Sequence, residues 1–166
     1  MDKNYLIASD WFDLNFFVKF LEEGHQAMMF LNKPQFKVAE EKITSRVLNH
    51  WHEMELLYDN REEKKGWRKF SISDSIWISI VLKLRSFGLG LKQIKKVKEC
   101  LDIYNSPDSI SNSTLLDFYI SYCFLSDEPV KLLVFNNGEA LLARQIEIDL
   151  STQINGIKDD YISIDL

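Results

Sequence analysis

The chain has 166 residues, 46% of them hydrophobic, with 20 Lys/Arg, 25 Asp/Glu and a formal net charge of -5. That apolar share excludes a disordered chain and is enough for one compact domain or two small ones. The absence of any run of eighteen apolar residues argues against a membrane span, and the two cysteines, Cys100 and Cys123, have no CxxC spacing and read as reduced core residues.

The first ten residues, MDKNYLIASD, lack the charged-then-apolar layout of a signal peptide, so a cytoplasmic chain is expected. The first predicted element is a helix in SDWFDLNFFVKFLEEG. Ser9 caps it, Asp10 and Asp13 lie in its first turn, and Gly24 ends it. Phe12, Phe16 and Phe20 recur at helical spacing beside Phe17 and Leu21, a face suited to a core or a dimer interface. HQAMMFLNKP follows without a clear period, and Pro34 closes it.

In FKVAEEKITSRVLNHWHEMELL, Lys37 to Lys42 is long enough for one or two helical turns. A second helix starts at a Thr44 or Ser45 cap, with Val47, Leu48 and Trp51 inward and Ser45, Arg46, Asn49 and His50 on the other side. LYDNREEKKGWRKF has the layout of a β-hairpin: Leu57-Tyr58 and Trp67 to Phe70 flank a charged tip containing Gly66, with Trp67 and Phe70 as anchors. Ser71 and Asp74 form an S-x-x-D helix start. Ile76, Ile80, Leu84 and Phe87, widened by Trp77 and Val81, give that helix its stripe, and Gly88 stops it. Another helix begins near Gly90 and ends near Tyr104, with Leu91, Ile94, Val97 and Leu101 inside and Lys92, Lys95, Lys96 and Lys98 outside.

YNSPDSISNST reads as a linker. Beyond it LLDFYISYCFLS, PVKLLVFNNGEALLARQIEIDL and YISIDL are rich in β-branched and aromatic residues and read as strands. Asn137-Gly138 marks a two-residue hairpin loop, and YISIDL is expected to close the sheet as a paired edge.

Charge is unevenly placed. Residues 36–101 hold 14 Lys/Arg and 9 Asp/Glu, a net of +5, which leaves 6 of the 20 basic and 16 of the 25 acidic residues for the rest, a net of -10. A basic middle between acidic ends is the electrostatic layout of a polyanion site, and equally of a solvated helix face.

The blocks ITSRVLNHWHEMELL, Arg61, GWRKFS at 66–71, Asp74 and LRSFGLGLKQI at 84–94 stand in the order and spacing of one known pattern. Over residues 36–101 the chain resembles the DNA-binding domain of the MerR family of transcription regulators. The resemblance implies a winged helix-turn-helix; with the helical extension read before it and the small β-rich region read after it, the expected fold class is α+β. The expected division is 1–35 for the extension, 36–103 for the DNA-binding domain, 104–113 for a linker and 114–166 for a β-rich dimerisation or effector region. It also implies that the helix from Thr44 enters the major groove, that Arg46 and His50 are its matching contact residues, and that Arg68 is the arginine of the wing. Trp51 matches an aromatic that is normally core.

The residues suit those roles. Arg46 and Asn49 can pair with guanine and adenine edges. Thr44, Ser45 and His50 share their helix, and Arg61, Lys64, Lys65, Trp67, Arg68 and Lys69 lie on or beside the hairpin, where basic groups hold phosphates. Three positions depart from the pattern: Glu55 replaces a glycine, the first helix is shortened at FKVAEEK, and Gly90 replaces a Ser/Thr cap. The family's long dimerisation helix is also missing, so dimerisation is expected through the aromatic N-terminal helix or the β-rich tail.

His50 and His52 lie on different faces of a helix, so no metal site is read from them, and no cofactor is expected. Without a phosphate loop, an HExxH or a serine elbow, an enzyme is not expected. The leading expectation is a sequence-specific regulator that binds double-stranded promoter DNA as a homodimer, with RNA polymerase as a further candidate partner and no membrane partner. The alternatives are an excisionase-like architectural DNA-bending protein and a winged-helix protein-interaction adaptor.

Overall fold

The computed structural model describes residues 26, 27, 29–36, 43–58, 68–102, 114–126, 128–154 and 160–166. The aromatic helix expected at 9–24, the short helix at 37–42, the hairpin tip at 59–67 and the linker at 104–113 lie outside them.

In chain order the elements are α1 (Ser45–Glu53), α2 (Ile72–Ser86), α3 (Leu91–Asp102), α4 (Leu115–Ser126), β1 (Val130–Phe135), β2 (Ala140–Arg144), α5 (Gln145–Ile154) and β3 (Tyr161–Asp165). The three strands form one antiparallel sheet in the order β2-β1-β3, with Leu132 facing Leu142 on one side and Ile164 on the other.

Two apolar clusters cover the two faces of this sheet. Val130, Leu132, Val134, Ala140, Leu142 and Ile164 join the main core with α1 to α4. Leu133, Phe135, Leu141 and Ala143 point the other way, where Ile148 of α5 meets them. With both faces covered, β1 reads as a continuous apolar run rather than an alternating one. The main core is continuous from Leu48 and Trp51 in α1, through Leu84 and Ile94, to Ile164 in β3, so the helical segment and the sheet share one interior. Burying each large aliphatic side chain there contributes roughly 1.5–3 kcal/mol.

The capping expectation for α2 holds: the Ser71 hydroxyl accepts from Asp74 N at 3.0 Å while the Asp74 carboxylate accepts from Ser71 N at 2.9 Å. The helix ends as a Schellman turn, with Gly88 at φ +90°, its N–H bonded to Arg85 O and Leu89 N–H to Leu84 O. Ile80, Leu84, Trp77 and Val81 are buried as the stripe requires, but Phe87 is 60% exposed because it caps the helix rather than continuing it.

The strand reading of LLDFYISYCFLS is corrected: these residues are α4. Thr114 and Asp117 cap it reciprocally, the hydroxyl accepting from Asp117 N at 3.1 Å and the carboxylate from Thr114 N at 3.4 Å. Burial of Leu116, Tyr119, Ile120 and Tyr122 overrides the β preference of the side chains. QIEIDL is likewise the start of α5, not a strand. Its Glu147 accepts from Arg144 N at 2.8 Å, as an N3 glutamate does. The region beyond 114 is therefore helix and sheet together, not β-rich.

The hairpin at Asn137-Gly138 is present, but its loop has three residues. Gly138 N bonds to Phe135 O at 2.9 Å, Phe135 N bonds to Glu139 O at 2.9 Å, and Gly138 sits at φ +83°. This is a turn followed by a bulge glycine, which needs the left-handed conformation. The loop also lies close on α3: a Cβ at Gly138 would meet Gln93 O and Lys96 Cδ at 3.2 Å.

Candidate nucleic-acid interface

Thr44, in extended conformation, starts α1 by accepting from Val47 N at 3.4 Å. It therefore serves as the helix cap. Leu48 and Trp51 are buried beneath the helix, so Ser45, Arg46, Asn49 and His50 are left together on one exposed strip. His50 Nδ1 lies 3.7 Å from Glu53 Oε2 on the same strip. His52 turns inward, its Nδ1 3.1 Å from Leu57 O, on a different side from His50. Among the described residues no group of three or more His, Cys, Asp or Glu side chains is placed to hold a metal ion.

The end of α1 holds a residue whose role the sequence alone did not give. Leu56 N bonds to Trp51 O at 2.8 Å and Glu55 N to His52 O at 2.9 Å, the bond pattern of a second Schellman turn. Its left-handed position, usually glycine, is Glu55 at φ 60°. The Glu55 carboxylate binds Lys95 Nζ of α3, and this hydrogen bond holds the carboxyl below the usual carboxylate range and the ammonium above its own. Because Glu55 is exposed and Lys95 half-exposed, the pair is screened by water and the backbone strain remains. Glu55→Gly is therefore expected to raise Tm by about 2–4 °C, and Glu55→Ala to leave it level or lower it. Differential scanning calorimetry of the two variants measures this.

Trp77 Nε1 of α2 donates to Leu56 O at 2.8 Å, tying the same turn to the second helix. Phe70 N and O bond to Phe36 O and N at 2.7 and 3.0 Å. The buried anchor Phe70 thus pairs with Phe36, and the hairpin tip that would join it to the Leu57-Tyr58 arm lies outside the described residues. Just before it, Arg68 is half-buried and engaged with neighbours, and Lys69 is exposed. Arg61, Lys64, Lys65 and Trp67 lie outside the described residues.

The basic face expected on α3 is narrower than its spacing suggests. Lys92 and Lys96 are exposed, but Lys98 is 9% exposed: it binds Asp102 at 2.6 Å and sits 4.3 Å over the Tyr58 ring. The long methylene stem lets a lysine lie along apolar surface, and the carboxylate one turn on meets its charge. At Gly90, Gln93 supplies only the reciprocal half of a capping box: its Oε1 accepts from Gly90 N at 3.0 Å, and its Nε2 donates to Asn136 O at 3.3 Å. Arg85, of LRSFG, donates to Leu89 O at 2.7 Å and stabilises the turn between α2 and α3.

A capped helix with one side buried and a polar strip exposed on the other is the form of a helix that reads a DNA groove. Residues 38–99 match the family described as MerR HTH family regulatory protein, so this segment is similar to a MerR-type helix-turn-helix domain. No curated protein and no solved structure matches the chain. Among the described residues no helix is long and apolar enough to cross a membrane.

Proposed function

We propose that the protein is a sequence-specific transcription regulator of the MerR type that acts on promoter DNA as a homodimer. The observation that carries this reading is the exposed strip Ser45, Arg46, Asn49 and His50 on a capped helix inside the matched segment. Arg46 and Asn49 read base edges, and Ser45 and His50 contact the same groove. Arg61, Lys64, Lys65, Trp67, Arg68 and Lys69 form the wing and hold phosphates. RNA polymerase is the further partner that promoter action implies. Residues 114–166 serve dimerisation and signal input.

The test is fluorescence anisotropy with the protein's own upstream DNA and with random DNA, across a range of salt. Wild type is expected to prefer the upstream sequence, with affinity falling steeply as salt rises. Arg46→Ala is expected to cost about 1–3 kcal/mol on the preferred site and to relax the preference. Arg68→Ala should weaken all sequences alike and reduce the salt slope by about one. Absence of binding at low salt would overturn the reading.

A further inference from the structure

β3 is the outer strand of the sheet, and among the described residues its strand partner is β1 alone. Leu166 N donates to Val130 O at 3.0 Å, and this bond fixes the phase of the ladder. Backbone direction alternates along a strand, so Ile162 and Ile164 bond inward to β1, and the N–H and C=O groups of Tyr161, Ser163 and Asp165 point outward. These three residues are also the exposed ones of the strand. The segment YISID has no proline or lysine to blunt such an edge, and its one carboxylate, Asp165, is occupied by Lys131 Nζ at 2.9 Å.

We propose that β3 pairs with β3 of a second copy of this chain, antiparallel and with Ser163 on the two-fold axis, joining two three-stranded sheets into one of six strands. This rests on the homodimer reading above and names its surface. The register follows from the strand's own chemistry. Outward groups must meet outward groups, and centring on Ser163 lets all three residues pair: Ser163 with Ser163, Tyr161 with Asp165 and Asp165 with Tyr161 of the second copy. Ile162 and Ile164 then lie opposite the second copy's Ile164 and Ile162 at the close, non-hydrogen-bonded positions. Both isoleucines belong to the main core's face of the sheet, so that face runs on across the axis. Sliding one step toward the start of the strand sets the Asp160 carboxylate against Ile164 of the second copy. An identical patch on both copies is what a closed two-fold interface requires.

Ser163 is exposed, so its side chain can be exchanged without entering the core. The full-length chain and its Ser163→Lys and Ser163→Glu variants are compared by sedimentation equilibrium at micromolar concentration, with circular dichroism to verify folding. Wild type is expected to be a dimer. Each variant places like charges directly opposite one another on the axis and is expected to raise the dimer Kd at least about tenfold. An equimolar mixture of the two variants should regain the wild-type Kd, because Lys now faces Glu. That rescue is specific to a register in which residue 163 meets itself. A wild-type dimer that both variants leave intact would overturn this surface while keeping the homodimer. A folded variant pair that fails to recover on mixing would overturn the register, and a monomeric wild type would overturn the homodimer reading itself. The anisotropy measurement tests DNA binding independently of all three.

Discussion

Replacing Trp77 by alanine is expected to lower the free energy of unfolding by about 4 kcal/mol, a large share of the roughly 5–15 kcal/mol that holds an ordinary domain folded. Two losses combine. The indole is 5% exposed within the main core, and truncating it leaves a cavity among packed side chains. Its Nε1 also holds Leu56 O at 2.8 Å, and that carbonyl is buried with Leu56, which is wholly covered. Removing the donor alone costs about 1–2 kcal/mol, so Trp77→Phe, which keeps most of the ring volume, should separate the two terms. Urea denaturation followed by circular dichroism measures both variants. The functional consequence follows from where the bond lands. Leu56 closes the turn that ends α1, so Trp77→Phe should loosen α1 and weaken the proposed DNA binding while the protein remains folded. A Trp77→Ala cost below about 1 kcal/mol would mean that the core drawn around α1 and α2 is wrong.

The helices that carry the proposed interface were legible because several signals agree along them. In α2 the S-x-x-D cap, the apolar stripe and the closing glycine all mark the same boundaries, and burial follows the stripe from Trp77 to Leu84. In α1 the spacing that hides Leu48 and Trp51 necessarily exposes Arg46, Asn49 and His50. The sheet's helical companions were not legible, for opposite reasons. α4 is apolar nearly all round, so its period is silent, and only Thr114-x-x-Asp117 marked it as a helix. The start of α5 alternates Ile-Glu-Ile-Asp-Leu, which imitates a strand. The imitation fails because Glu147 can be buried, and it can be buried because Arg144 binds it through Nε at 2.6 Å. Hydropathy patterns treat every charge as an outward marker and miss such pairs, and the same error placed Lys98 on the surface. Contacts between distant positions, such as Gln93 with Asn136 and Glu55 with Lys95, leave no local trace at all.

A second large effect is expected at the buried hydrogen bond between the helix-turn-helix segment and α4. Ser73, in the first turn of α2, donates its hydroxyl to Asp117 Oδ1 at 2.5 Å, and the two residues are 8% and 5% exposed. The other carboxylate oxygen accepts from the Thr114 hydroxyl at 2.9 Å and from Thr114 N. One side chain therefore caps α4 and fastens it to α2. Asp117→Ala removes both functions: the cap is worth about 1 kcal/mol and a hydrogen bond to a carboxylate about 1.5–3 kcal/mol. The expected loss is about 3 kcal/mol. Ser73→Ala leaves the cap in place but withdraws one donor from a buried oxygen, and should cost about 1–2 kcal/mol. Since the two residues share one bond, the double variant should be more stable than the sum of the single losses predicts, by about 1–2 kcal/mol. Thermal and urea unfolding of the four chains in the cycle gives that coupling directly. Coupling within about 0.5 kcal/mol of zero would mean that the bond contributes nothing beyond the cap, and that α2 and α4 are held together there by apolar packing.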